Sequence, residues 1–231
     1  MVGEEAFVIA VAEGPDSLTD LFAAPARGGE FVRLTFNRAE ERSPRLAPEG
    51  TRVAFLRRQL DGGPWSLVIL DLQSNAERSA PLPGDAGEPE QLGWDAGTSV
   101  VVRATGGYFR TAPSGNRLRL APVAADSLVR ADSATRELLG PGGEGLVRPC
   151  EAGVCVVVGD SITPLGAGVS GAVRWGPDSV GYFSTGSFEV RPLSGGYPRR
   201  PEWKARPARL RDLSYHPGAQ VTTRTGVSGR R

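Results

Sequence analysis

Histidine and cysteine are almost absent from this sequence, which holds one histidine and two cysteines among 231 residues. The lone histidine, His216, sits in a His-Pro-Gly turn and leaves a serine or cysteine nucleophile no second imidazole as base, so acyl-transfer catalysis is not expected. Two cysteines with no further ligands beside them do not make a zinc site, and no alternation of acids spells a calcium loop. No catalytic residue, metal ligand or cofactor is therefore assigned. An excess of one charge is lacking as well, with 27 Lys+Arg against 26 Asp+Glu and a formal net charge of +1. Nucleic-acid binders carry a basic surplus to neutralise phosphates, so nucleic acid is not a predicted partner. Long apolar runs are missing too, none approaching the roughly 18 residues that cross a bilayer. The longest early stretch, residues 6–12, follows two glutamates rather than a basic segment, so neither a transmembrane helix nor a signal peptide is expected in the chain as written. An export signal upstream of this start stays open, and with it both compartments.

What is there is turn chemistry. The chain has 31 glycines, 19 prolines and a hydrophobic fraction of 39%, a mixture that suits many short strands joined by tight turns better than long helices. A degenerate repeat organises them. Its clearest copy is Ser43-Pro44-Arg45-Leu46-Ala47-Pro48-Glu49-Gly50, a short strand ending in a turn, followed by Val53-Ala54-Phe55 with Val53 and Phe55 alternating. The unit continues through Asp61-Gly62-Gly63-Pro64 into Trp65-Ser66-Leu67-Val68-Ile69-Leu70, a Gln73-Ser74-Asn75 turn and a fourth strand near Glu77. Four antiparallel strands in succession make one blade of a β-propeller. The pattern recurs around Trp94-Asp95 ahead of Val100, around Trp175-Gly176-Pro177-Asp178 ahead of Val180, and more weakly from Leu146 to Val158.

On these residues the chain resembles the TolB-like, WD40-like propeller repeats, whose blades carry Leu-Thr, then Ser-Pro-x-x-Ser-Pro-Asp-Gly, then a strand such as Ile-Ala-Phe. Leu34-Thr35, residues 43–50 and Val53-Ala54-Phe55 match this in one blade, while Pro177-Asp178 and Pro217-Gly218 keep only its frame. The resemblance implies architecture and leaves function open. The N-terminal runs beginning at Phe7, Asp20 and Phe31 read as second, third and fourth strands with no first strand before them, and Asp212-Leu213-Ser214-Tyr215-His216 supplies the missing one. The prediction is a single all-β domain, a propeller of about five or six four-stranded blades, five by the boundaries below, closed by pairing of the N- and C-terminal segments. The blades fall at 1–36 with 210–224, 43–82, 89–139, 145–167 and 171–205, and residues 225–231 form a frayed basic tail. Residues 127–139 read as two strands around a polar turn or as a short helix, and repeat context favours the strands.

Several spellings of chemistry dissolve on inspection. Gly140-Pro141-Gly142-Gly143-Glu144-Gly145 matches a dinucleotide fingerprint in letters, but it does not open a helix. Gly168-Val169-Ser170-Gly171-Ala172 is close to a nucleophile elbow without its histidine. Glu4-Glu5, Glu40-Glu41 and Glu88 with Glu90 are paired acids that read as solvated. Cys150 and Cys155 bracket a turn-like spacer and read either as a disulfide, implying an oxidising compartment, or as two free small hydrophobes on adjacent strands. Trp65, Trp94 and Trp175 stand beside blade turns and are expected between blades.

Cations interleaved with an aromatic gather near the C-terminus, at Arg199, Arg200, Trp203, Lys204, Arg206, Arg209 and Arg211, and form the candidate interaction surface. The functional expectation is a non-catalytic protein-binding or accessory subunit of a larger, extracytoplasmic, membrane-attached assembly. Its partners would be proteins, and membrane association would come only through them. One concrete candidate, carried by no motif, is a bacterial photosynthetic reaction-centre complex. The alternatives are a ligand-binding or hydrolytic propeller working through its central channel, and a propeller lobe with further sequence upstream.

Overall fold

The structure, a computed structural model, describes residues 5–14, 18–95, 99–114, 117–125, 147–151, 153–158, 161–166, 168–175, 178–184, 187–204 and 207–218. The expectations for 127–139, for Gly140–Gly145 and for 219–231 lie outside these residues. The fold is all-β. In chain order the strands are β1 (Phe7–Glu13), β2 (Thr19–Pro25), β3 (Gly28–Glu30), β4 (Val32–Arg33), β5 (Ala39–Leu46), β6 (Arg52–Gln59), β7 (Ser66–Asp71) and β8 (Glu77–Pro81). They continue with β9 (Pro89–Trp94), β10 (Val100–Ala104), β11 (Gly107–Ser114), β12 (Arg117–Val123), β13 (Val147–Cys150), β14 (Gly153–Val158) and β15 (Ser161–Gly166). The last are β16 (Val169–Arg174), β17 (Ser179–Ser184), β18 (Ser187–Pro192), β19 (Glu202–Lys204) and β20 (Ala208–His216).

Among the described residues these strands form three four-stranded sheets, ordered β20-β1-β2-β4, β5-β6-β7-β8 and β12-β11-β10-β9. Two three-stranded sheets follow, β13-β14-β15 and β16-β17-β18, and a short parallel pair joins β19 to β3. Apart from that pair, the strand pairings in these sheets are antiparallel. The terminal strands meet as the sequence requires: β1 pairs with β20 from Phe7 opposite His216 to Glu13 opposite Ala208. The fourth strand expected from Phe31 onward shrinks to β4, because β3 turns aside to pair with β19. At that crossing a Cβ on Gly28, whose φ is +131°, would come 2.7 Å from the Glu202 carbonyl oxygen, so the close approach needs glycine.

The middle strands are covered on both faces. In β6 the four consecutive residues Val53, Ala54, Phe55 and Leu56 are all buried, where a half-exposed strand would alternate. Their side chains split by parity: Val53 and Phe55 join Phe7, Ile9, Val11, Leu21, Val68 and Leu70, while Ala54 and Leu56 join Trp65, Leu67, Ile69, Leu92, Trp94 and Val102. The β6 sheet therefore lies between the β1 sheet and the β10 sheet. By the same parity β1 turns Val8 and Ala10 toward Trp175, Phe183 and Phe188, and β17 turns Val180 and Tyr182 toward Val156 of β14. The sheets thus succeed one another in the spatial order β14, β17, β1, β6, β10. Each such apolar side chain is worth about 1.5–3 kcal/mol when fully buried, so these faces hold the stack together. Outer strands differ, β8 and β12 being mostly exposed. Trp65, Trp94 and Trp175 are each about 5–6% exposed and pack between sheets.

Candidate functional site

Two places bring arginine and tryptophan together, and local geometry sends them in opposite directions. The first lies at one end of β5 and β6. A hairpin running straight back from the Pro48-Glu49-Gly50 turn would set Arg42 opposite Arg57. Instead Ser43 and Pro44 share one partner position in a β-bulge, with Ser43 at φ 55°, and the ladder resumes one residue out of step. That single slip places Glu41 opposite Arg57 and Glu40 opposite Arg58. Neighbouring β20 braces the bulged strand: the Ser43 amide donates to Asp212 Oδ2 at 3.1 Å and the Leu46 amide to Ser214 Oγ at 2.9 Å.

The resulting cluster is internally paired. Arg57 donates to Glu41 and to both oxygens of Glu77, and Arg58 to Glu40. The Glu41 carboxylate, with no exposed side-chain surface, also accepts the Thr35 hydroxyl at 2.6 Å, and burial raises its pKa despite Thr35 and Arg57. Beside it the Trp65 ring meets the guanidinium groups of Arg42 at 3.9 Å and Arg58 at 4.6 Å, and its indole N–H donates to Glu88, which Arg42 also contacts. Every cation in this cluster has a carboxylate partner, so the cluster works as a clamp between strands.

The second place is the predicted C-terminal surface. Here Trp203 is half-buried, its ring packed on the aromatic cluster. Its neighbours Glu202 and Lys204 are exposed, while the Trp203 ring stacks on Phe188 at 5.1–5.3 Å from Phe31 and Phe188 and its N–H donates to the Pro25 carbonyl at 2.9 Å. In a three-residue strand whose flanks face water, the middle side chain must face the core. Glu-Trp-Lys alternation was the available signal. Arg199 and Lys204 are exposed without an ion-pair partner among the described residues. Arg200 is held by Glu189 yet stays 66% exposed, and Arg209 pairs with Glu13. Arg211 lends its backbone to β1 opposite Val11, and Arg206 lies outside the described residues.

The aromatic that does face outward is Tyr197, 96% exposed, which sequence reasoning missed. It stands in the loop after β18, where Gly195 and Gly196 take φ values of 92° and 120°. Just past it the chain is fastened down again, Val190 and Arg199 exchanging two backbone hydrogen bonds of 2.8 Å. Tyr197, Pro198, Arg199 and Arg200 are thus displayed as one exposed run on a tied base.

The remaining candidates have structural partners. His216 Nδ1 accepts the Gly218 amide, which leaves Nε2–H to donate to the Pro48 carbonyl at 3.0 Å, and the ring covers Gly50, where a Cβ would come 2.7 Å from it. Gly168–Ala172 runs into strand β16 rather than a strand-to-helix turn. Glu88 binds Arg42 and Trp65, and Glu90 pairs with Arg103. Cys150 and Cys155 are disulfide-bonded diagonally across the β13–β14 hairpin, with Cα atoms 5.8 Å apart. Among the described residues no three His, Cys, Asp or Glu side chains gather as a metal site.

No protein-family model matches the chain, and no curated protein matches it. Solved structures similar to it include TolB from Acinetobacter baumannii, at 10% identity and a TM-score of 0.46, covering 91% of this chain and 66% of that one. The tricorn protease follows at 13% identity and a TM-score of 0.41, covering 87% of this chain and 22% of that one. Kuenenia stuttgartiensis hydrazine synthase is similar at 10% identity and a TM-score of 0.31, covering 87% and 32%. The chain therefore spans less than two thirds of the length of each of these structures.

Proposed function

We propose that this chain is a β-propeller of five blades, closed through the composite β20–β1 sheet, that serves as a non-catalytic protein-binding subunit of a larger assembly. Two buried side chains support the ring. Val101 of β10 faces away from the β6 sheet and is fully buried, and Cys155, 2% exposed, precedes Val156, which faces β17. Both side chains lie on the outward faces of the first and last sheets of the stack, where an open stack would favour exposure. The observation that carries the function is the contrast between a Trp65 cluster whose charges are all paired and a Tyr197 loop that is fastened at its base and exposed at its tip. Pre-ordered aromatic and arginine side chains at a surface lower the ordering cost of association. The disulfide suits an extracytoplasmic compartment. Among the described residues no helix is long and apolar enough to cross a membrane.

The test is gentle isolation from the source cells with membranes solubilised, followed by a native gel and mass spectrometry of whatever co-migrates. A stoichiometric band with other proteins is expected, and reaction-centre subunits in it would identify the assembly named from sequence. Migration as a lone small monomer overturns the reading and moves the search to ligands of the central channel.

A further inference from the structure

We infer that the run Tyr197-Pro198-Arg199-Arg200 is the docking surface and that its occupant is an acidic segment of the partner protein, an inference that rests on the protein-binding reading above. Tyr197 is 96% exposed and is the most exposed large apolar side chain among the described residues. Tyrosine and arginine dominate binding hot spots because each offers broad contact area with a polar handle. Pro198 follows directly and is exposed too, extending the apolar contact.

The charge beside that contact is cationic. Among the described residues Arg199 has no ion pair, and Glu189 takes Nε and Nη2 of Arg200, which leaves its Nη1 for a visitor. Glu189 is 15% exposed and Arg200 66%, so the guanidinium, not the carboxylate, meets solvent. A free guanidinium fork is complementary to carboxylates. Glu202 is the exposed acid nearest in sequence, on the strand beyond, and sets the boundary of the cationic area. Rigidity completes the case: the paired Val190–Arg199 bridge and the Gly195 amide donating to the Pro192 carbonyl at 3.2 Å hold the loop before any partner arrives.

The experiment places a photo-reactive benzoylphenylalanine at exposed Ser194, beside the run, and separately at exposed Asp61, in the loop after β6, within the full chain expressed in its own cells. Irradiation at 194 should join the chain to a peptide rich in Asp and Glu. A synthetic peptide of that sequence should bind the wild type, lose about 30-fold or more in affinity with Tyr197→Ala, and lose all measurable binding with Arg199→Glu/Arg200→Glu. Thermal unfolding of both variants should match the wild type. Crosslinking at 61 but not at 194, with the native complex intact, overturns this surface and leaves the protein-binding reading standing. Crosslinking at 194 to lipid, or to a neutral or basic peptide, overturns the acidic partner. Absence of any native complex overturns the protein-binding reading itself, and this inference with it.

Discussion

One end of the β6 sheet and the surroundings of β19 start from the same ingredients, a tryptophan with arginines nearby, and finish as opposites. At the first, Trp65 lies between Arg42 and Arg58 and each cation is tied to a carboxylate. At the second, Trp203 is drawn into an aromatic cluster with Trp175, Phe188 and Phe31, and the cations are left outside. The difference lies in register. A bulge at Ser43–Pro44 slides acids opposite arginines in the β5–β6 hairpin, whereas in the short β19, where Glu30 stands opposite Lys204, Lys204 stays exposed and Trp203 turns toward Phe31 and Phe188. Arginine near tryptophan is thus glue between the strands of the β5–β6 hairpin, and surface beside β19, where Arg200 stays 66% exposed even in its pair with Glu189.

Breaking the aromatic side should have the largest effect. Trp175, 6% exposed, touches Phe188, Trp203 and Tyr215, and Trp175→Ala should cost about 3–5 kcal/mol in urea unfolding. On the paired side, Glu41→Ala leaves the Arg57 Nε–H and the Thr35 hydroxyl without their acceptor while Arg57 keeps Glu77, and should cost about 2–3 kcal/mol by the same assay. Glu41→Gln sharpens the point through pH. Burial raises the pKa of Glu41 in the folded state above its ordinary 4.5, so the folded chain favours the protonated acid. Its stabilising contribution is present below that value and is lost as pH rises through the raised one. The melting temperature of Glu41→Gln should therefore gain on the wild type as pH rises above 4.5, and a constant gap would refute the direction.

Smaller effects test the joints between the two regions. Gly50→Ala, at φ 74° and under the His216 ring, should cost about 2 kcal/mol, while His216→Ala in the same chain should relieve part of that penalty. Arg42→Ala, which removes one cation from the Trp65 ring, should cost about 1 kcal/mol, whereas Arg199→Glu/Arg200→Glu should leave stability within about 0.5 kcal/mol.

Much of this arrangement could be seen in the letters, and the exceptions have physical causes. The strands at Phe7, Asp20, Val53 and Leu67 announce themselves because each is an apolar run bounded by turn residues. The Pro48-Glu49-Gly50 turn is legible because the Gly50 amide closes a four-residue turn on the Ala47 carbonyl, with glycine where φ is positive. The meeting of Phe7 with His216 follows from a missing first strand. Glu41 was not legible as a buried acid, since its fate depends on a one-residue slip that no composition records. The packing of Trp203 on Phe188 and Phe31 is not legible in the letters, because the density of cations around it masks a three-residue alternation. Tyr197 went unnoticed because exposure in a Gly-Gly-Tyr-Pro loop depends on the backbone bridge that ties down its far side.

The pairing of β1 with β20 also sets a schedule for the nascent chain. Its partners are about two hundred residues apart, so at roughly 5–20 residues per second the ribosome keeps β1 waiting for some ten to forty seconds. During that interval the apolar strand Phe7–Glu13 has β2 on one edge and nothing yet on the other, while the β6 sheet, built from hairpins, can form as it emerges. Synthesis slowed or interrupted before residue 208 should therefore leave a product that sticks to its own kind, and a chaperone that shields bare strand edges would be expected to hold it.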